Sequence, residues 1–590
     1  VSALAPRTAA LALAAAVASG CASRPGGPVA VPPRAEAPPA VAAAPEGADW
    51  VERTLASLSL EEKAGQVLMP VIRVHHANLA SAEARRLESL VRELGAGGFI
   101  VSRGDPLETV ETLNRLQRAA KVPLLIAADF EWGTGVHILH GGTFMPYTMA
   151  IGATGDEELA RAHARATARE ARALGIHMAF APVADVNNNP DNPIIALRSF
   201  GEDPAEVSRL AAAWTRGARE AGLLTTAKHF PGHGDTGLDS HLVLATIGAD
   251  RARLDAVELP PFRAQVAAGV EAVMIGHLAV PTLDPSGLPA TLSAPIMGGV
   301  LRGELGFRGL IVSDAMDMGG VTGGFTPGEA AVRSLAAGND VVLMSPAPAE
   351  AKAAIVAAVQ EGRLPQARLD DAVRRLLETK RLAGLDRVRE SDPARVWTDV
   401  AHPDDLARLQ ELADRSLTLV RDDVGALPLA PGPGLVHVTL SGDPLYERLD
   451  ASFEAELRRR APETISFTVE PRTGAEERSR VLAAARDARV VVVSAFARVR
   501  AFKGSAALPE DLSAWLQELC ASGRPVVVVS YASPYLLLQV PAAPAYVAAY
   551  GHSGFAIRAV GKALFGEIPF RGRLPVTLPG LFPRGHGLDE

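Results

Sequence analysis

The chain has 590 residues, 48% of them hydrophobic and 21% charged, with a formal net charge of −8. That length exceeds what one hydrophobic core serves and predicts two domains; the acidic balance leaves no polybasic face and excludes nucleic acid as a partner. With cysteine only at Cys21 and Cys520, a disulfide framework is excluded as well.

Residues 1–21 read as a targeting segment. Arg7 supplies the positive start, Thr8 to Ala18 is a short apolar core, and small residues precede Cys21. Ala18-Ser19-Gly20-Cys21 resembles a bacterial lipobox, in which the cysteine is lipidated after cleavage. A plain secretory signal cleaved nearby is the alternative. A spanning anchor would need about 20 apolar residues, more than this run supplies. Residues 22–48, rich in Ala, Pro and Gly, predict an extended tether. The expected location is the bacterial cell envelope, with a lipid at Cys21 holding the exported chain to a membrane; a periplasmic or secreted protein is the alternative.

From residue 49 to 385 short apolar runs alternate with longer stretches of helical spacing. The runs Gln66–Ile72, Gly97–Val101, Pro123–Ala128 and His177–Pro182 predict strands, followed by Leu223–His229, Ala272–Gly276, Leu310–Ser313 and Asp340–Met344. Asp156–Leu174, Pro204–Ala221 and Ala252–Ala268 predict helices between them. Eight strands alternating with helices fit a (β/α)8 TIM-type barrel, with a doubly wound open sheet as the alternative. Residues 386–404 read as a connector. A smaller α/β sandwich domain is expected over 405–590, with parallel strands at Leu417–Val420, Leu435–Leu440, Val490–Val493, Pro525–Ser530 and Ala545–Ala549. Gly572 to Leu588, rich in Pro and Gly, is expected to wrap over the surface. Cys520 falls in a helix-like run and reads as a buried small hydrophobe.

Active sites of such barrels sit at the C-terminal ends of the strands. Asp129, Lys228, His229, His277 and Asp314 all fall there. Asp314, closing a buried apolar strand, is costly unless paired or functional, and reads as a nucleophile for an anomeric carbon. Asp317 reads as a helix cap. A retaining glycosidase needs a second group to protonate the leaving oxygen and then activate water. The run from Lys228 to His241, KHFPGHGDTGLDSH, offers His241 for that task, with Asp239 orienting its ring. His233 is the rival and more plausibly shapes the loop. A metal site of His229, His233 and His241 is a third reading, without a recognised ligand spacing behind it. Lys228 and His229 read as donors to sugar hydroxyls, and Asp129 as an acceptor of two of them. Arg198 reads as a clamp on a sugar oxygen, or else as a partner of Glu202 or Asp203 in its own loop. Asp185, among asparagines, reads as a loop stabiliser.

Taken together, DFEWG from Asp129, APVADVNNNP from Ala181, RSFGEDP from Arg198, the Lys228–His241 run, MIGHLAVPTLD from Met274 and VSDAMDM from Val312 follow the order of glycoside hydrolase family 3. The chain resembles the β-N-acetylglucosaminidase branch of that family over nearly all its length after Ala48. RSLTLVRDD from Arg415 and RLPVTLPG from Arg573 are similar to the family's second domain. The resemblance implies a retaining mechanism with Asp314 as nucleophile, acid/base chemistry on His241 with Asp239, and sugar binding by Asp129, Arg198, Lys228 and His229. It implies no cofactor and no metal. One segment departs from the branch, which commonly has Asp-Gln-Glu-Gly-Gly and then arginine. Here Trp132 replaces a glycine and His137 stands near the arginine's place.

The expected activity is therefore exo-acting β-N-acetylhexosaminidase, releasing terminal β-linked N-acetylglucosamine from carbohydrate such as peptidoglycan fragments through a covalent glycosyl-aspartate. A β-N-acetylglucosaminide phosphorylase or a β-glucosidase of the same family, and a non-catalytic glycan-binding lipoprotein, are the alternatives.

Overall fold

The computed structural model describes residues 47–74, 78, 80–443, 447–497 and 507–589. The expected leader with Cys21, and the tether up to residue 46, lie outside the described residues. The described residues form one compact unit.

Eight parallel strands build its first half. They are β1 (split by Pro70 into Leu68–Met69 and Val71–Val74), β2 (Gly98–Gly104), β3 (Leu125–Ala128), β4 (Met178–Ala179), β5 (Leu224–Phe230), β6 (Ala272–Ile275), β7 (Leu310–Ser313) and β8 (Val342–Leu343). Each pairs with the next from β1 to β7, and β8 returns to pair with Leu68–Met69. The ring closes because Ser313 N–H donates to Val341 O at 3.0 Å, joining β7 to β8. An open doubly wound sheet is thereby excluded. Alternate residues divide between two cores, as the two-residue period of a strand requires. Ile100, Leu125, Ala127, Met274 and Val312 fill the interior, while Phe99, Val101, Ile126 and Ala128 face the helices.

Two expected elements differ in detail. Pairing of β4 stops at Ala179 and resumes only as a bridge from Val183 to Lys228, since Pro182 has no N–H to give. The helix expected over Ala252–Ala268 is broken into Arg251–Arg253, a π-helical stretch Leu254–Glu258 and Leu259–Ala268. Pro260 and Pro261 cannot donate to the preceding turn, and the register shifts ahead of them.

The second half is a mixed sheet of β9 (Thr418–Asp422), β10 (Leu435–Ser441), β11 (Ile465–Val469), β12 (Val490–Phe496), β13 (Val526–Ser530) and β14 (Ala545–Ala548), in the order β9-β14-β13-β12-β10-β11. Val491 and Val493 enter the core on one face, Val490 and Val492 that on the other, so the sheet is covered by helices on both sides. The expectation of an all-parallel sheet fails at β9, which is antiparallel to β14. Strand β11 was not expected: as an edge strand it alternates Ile465-Ser466-Phe467-Thr468-Val469 and lacks the continuous apolar run of a buried strand. The sandwich abuts the barrel at the C-terminal end of its strands. There Glu202 Oε2 accepts from Thr577 N–H at 2.7 Å, and Arg584 pairs with Asp203 at 2.7 Å. Among the described residues no helix is long and apolar enough to cross a membrane.

His163, fully buried on helix Glu157–Ala173, accepts from Trp214 Nε1–H at its Nδ1 (3.1 Å) and donates from Nε2 to Pro146 O (3.0 Å). A proton on Nδ1 would face another donor, and burial lowers the pKa from 6.5 to about 4. Between those values the unfolded chain binds a proton that the folded chain does not, so stability must rise with pH across that window. The thermal midpoint is expected to fall on acidification from pH 6.5 toward 4, with a shallower slope in His163→Gln. An unchanged slope in that variant would count against the assignment.

Candidate active site

The strand ends place the charged groups at one mouth. Asp129 and Glu131 follow β3, Lys228 and His229 lie in β5, His277 follows β6 and Asp314 follows β7. At the centre Lys228 Nζ, with its side chain only 2% exposed, donates to Asp129 Oδ1 at 2.7 Å and to Glu131 Oε1 at 2.5 Å. Glu131 also receives Arg198 through a two-pronged contact, Nε and Nη2 each at 2.8 Å. Burial alone would raise the Glu131 carboxyl, but the two cations hold it well below the usual range. Burial likewise opposes charge on Lys228 and Arg198, and the carboxylates reverse it, keeping both cations protonated. Glu131 is enclosed at 4% side-chain exposure, whereas Asp129 at 42% faces solvent and is the member of the pair that a sugar can reach.

The next group is anchored by Asp185, which is fully buried. Its Oδ2 receives His229 Nδ1 at 2.7 Å, and its Oδ1 accepts the His233 backbone N–H at 2.7 Å. Burial works against this charge, yet His229 and the backbone donors keep the carboxyl below its ordinary value. The Lys228–His229 and Phe230–Pro231 peptide bonds are both cis. Beyond them the chain lies against the loop that carries Asp185: a Cβ on Gly234 would stand 1.7 Å from Val186 O, so only glycine permits the approach.

His233 spends both ring nitrogens inside the loop, Nδ1 on Thr236 Oγ1 and Nε2 on Ser240 Oγ, each at 2.8 Å. Burial first, and then the neighbouring His229, lower its pKa to about 4. It is a neutral strut near pH 7 and has no lone pair to offer a metal. Among the described residues no group of three His, Cys, Asp or Glu side chains could hold a metal ion. His241 is placed differently. Asp239, 1% exposed, accepts both the His241 backbone N–H (2.9 Å) and its Nδ1 (2.7 Å), and the imidazole is 22% exposed. With Nδ1–H committed to the carboxylate, Nε2 is the atom that can exchange a proton with a bound molecule.

Asp314 N–H donates to Ile275 O at 2.9 Å, and its Oδ1 accepts from Ala315 N–H at 2.8 Å. Burial opposes its charge; the imidazoles of His229 and His277, the Ala315 N–H and His241 outweigh it and lower the pKa to about 2. The carboxylate is therefore ionised at any ordinary pH. His277 braces the same loop, with Nε2 donating to Ala315 O at 2.9 Å and Nδ1 lying 2.6 Å from Thr291 Oγ1.

The structure thus brings Asp129, Arg198, Lys228, His229, Asp239, His241 and Asp314 to one end of the barrel, with three changes of partner. Arg198 binds neither Glu202 nor Asp203, whose carboxylates are taken by Thr577 and Arg584 of the second domain; its counter-ion is Glu131. Asp185 does stabilise a loop, but it also fixes the His229 ring. Asp317 caps nothing: helix Gly319–Thr322 has Met318 at its N-cap and no side-chain capping bond. Glu131 went unrecognised although it stands two residues from Asp129, the spacing that sends both acids to one side of an extended chain. Trp132, at the position where the family pattern has glycine, stacks on Tyr147 with ring centres 4.5 Å apart.

A model of the glycosyl hydrolase family 3 N-terminal domain matches residues 59–379, and one of the family's C-terminal domain matches 413–582. A Cellulomonas fimi protein described as a β-N-acetylglucosaminidase/β-glucosidase is 30% identical over 556 residues, covering 90% of this chain and 96% of that one. The solved structure of a glycoside hydrolase family 3 β-N-acetylglucosaminidase from Paenibacillus sp. str. FPU-7 aligns with a TM-score of 0.79 at 33% identity, over 88% of this chain and 99% of the other. A β-glucoside phosphorylase aligns with a TM-score of 0.82 at 28% identity, over 91% and 97%.

Among the described residues Glu131 is the sole carboxylate that touches both buried cations, and removing one member of a buried charge cluster costs about 3–5 kcal/mol. Glu131→Gln should lose stability on that scale in denaturant unfolding, and Asp129→Asn much less. Equal losses would contradict the division between an enclosed and an accessible carboxylate.

Proposed function

Since the chain belongs to glycosyl hydrolase family 3 and is a glycoside hydrolase, we propose that it removes terminal β-linked N-acetylglucosamine by double displacement, with Asp314 and His241 as the reacting pair. The observation that carries this reading is the pairing of an ionised strand-end carboxylate with a histidine whose far nitrogen is fixed by Asp239. Asp314 attacks the anomeric carbon while the bond to the leaving oxygen breaks, and His241 Nε2 gives that oxygen its proton. The product is a glycosyl ester on Asp314. Neutral His241 then takes a proton from water, the water oxygen attacks the anomeric carbon, and the ester bond breaks to restore the carboxylate. Asp129, Lys228, Arg198 and His229 bind the sugar hydroxyls, the charges of the first three balanced in advance by one another and Glu131, and the His229 ring fixed by Asp185.

The names of the Cellulomonas and Paenibacillus relatives support N-acetylglucosaminides as substrates. A phosphorylase is the second reading. A histidine in place of a carboxylate repels incoming phosphate less, and the fold is shared with a β-glucoside phosphorylase. Peptidoglycan fragments are the proposed natural source of the sugar, in keeping with a lipid anchor on Cys21. Loss of a lipid mass in Cys21→Ser would support that anchor.

Nitrophenol release from the β-N-acetylglucosaminide is expected to exceed that from the β-glucoside. Asp314→Ala should abolish it, and His241→Ala should lower turnover about 10²–10⁴-fold, the usual contribution of positioned acid/base catalysis. Turnover that requires phosphate would establish the phosphorylase instead. Preference for glucoside with His241→Ala unaffected would refute the assignment of the loop.

A further inference from the structure

The reacting pair stands on two separate loops, and its geometry depends on how those loops meet. The Asp314 loop runs on into Gly319 and Gly320, which open the short helix Gly319–Thr322. Gly319 N–H donates to His241 O at 2.9 Å. A Cβ on Gly319 would stand 2.3 Å from Leu242 O, 2.7 Å from Leu242 C and 2.9 Å from His241 O. All three are backbone atoms, so no side-chain rotation relieves the conflict. Gly320 is tight in the same direction, its added Cβ falling 3.0 Å from His277 Cβ and 3.3 Å from Ser240 O. Neither glycine is among those with positive φ, so alanine is conformationally permitted at both. Glycine is needed there for room and for nothing else.

The other side of the contact is equally constrained. Asp239 O accepts from Leu242 N–H (3.0 Å) and Val243 N–H (3.2 Å), closing a tight turn around His241. The turn is a compact unit whose one described backbone bond to the Asp314 loop is the Gly319 N–H to His241 O bond. On the solvent side of the turn the side chains of Leu238, Leu242 and Val243 are all about half exposed.

We propose that Gly319 is a positioning residue. It is the seat on which the His241 turn rests, and it sets the reach of the acid/base to an oxygen on the anomeric carbon that Asp314 attacks. The inference rests on His241 being the acid/base. A substitution at the seat lifts the turn without touching the ring, Asp239 or Asp314, so its signature is that of a misplaced proton donor. Small displacements of a catalytic group cost on the order of 10²-fold in rate.

The test compares two leaving groups on full-length protein. An alkyl β-N-acetylglucosaminide needs its leaving oxygen protonated, whereas nitrophenolate departs without help. In Gly319→Ala, kcat/KM for the alkyl substrate should fall about 100-fold while that for the nitrophenyl substrate stays within about threefold. Added azide should raise nitrophenyl kcat, since the anion attacks the glycosyl ester without needing a base, forms the β-glycosyl azide and releases Asp314. Gly324→Ala, with no atom within 4 Å of its added Cβ, should behave as wild type. Equal loss on both substrates without azide rescue would mean general damage and overturn the proposal, as would unchanged activity on both. Should Gly319→Ala fail to fold, Gly320→Ala must show the same asymmetry in weaker form, and its absence there would overturn the proposal too. His241→Ala measured alongside must show the asymmetry in full. If it does not, the acid/base assignment fails, and that failure is distinguished from failure of the seat.

Discussion

Everything at the barrel mouth depends on one arrangement, the Glu131 carboxylate shared between Lys228 and Arg198. Two cations cannot be withdrawn from water at the top of an apolar barrel without counter-charge, and the cost of trying is several kcal/mol per ion. Glu131 supplies that charge from inside, which leaves Asp129 at the solvent edge to share Lys228 and still meet a sugar. The same logic repeats one strand along, where buried Asp185 steadies His229. The mouth is thus a fixed pattern of charge assembled before any substrate arrives, the condition under which polar groups contribute most to a transition state.

On this floor the two groups proposed to react are held in different ways. Asp314 is an anion surrounded by imidazoles and a backbone N–H, held ionised despite its burial. His241 stands on a loop whose other histidine, His233, is kept neutral by burial and by neighbouring His229 and is held in place by two hydroxyls. That division leaves one histidine holding the shape of the loop and the other, His241, placed for the proposed proton exchange. The proposed histidine acid/base would serve either water or phosphate as the acceptor, and solved structures named for a β-N-acetylglucosaminidase and for a β-glucoside phosphorylase share the architecture.

The sequence made the barrel readable because buried parallel strands are short, continuous apolar runs, and the five polar residues Asp129, Lys228, His229, His277 and Asp314 fell at the strand ends where such a barrel keeps its chemistry. Asp314, Asp239 and His241 stood out as candidates because each is a titratable group where packing alone would not place one. Partners were harder. Arg198 finds Glu131 across 67 positions of chain, and nothing local ranks that carboxylate above Glu202 or Asp203. Only the structure shows that the second domain claims those two. Strand β11 escaped because an edge strand shows alternation in place of a run, and the seat at Gly319 escaped because room for a backbone oxygen leaves no mark on composition.

The proposed double displacement requires a covalent ester at Asp314. The direct measurement is the mass of the His241→Ala protein and its peptides, quenched within seconds of mixing with nitrophenyl β-N-acetylglucosaminide, when slowed hydrolysis lets the intermediate accumulate. One N-acetylhexosaminyl group on the peptide containing Asp314 is the predicted result. Nitrophenol released in a burst with that peptide unmodified, or the sugar on another residue, would contradict it.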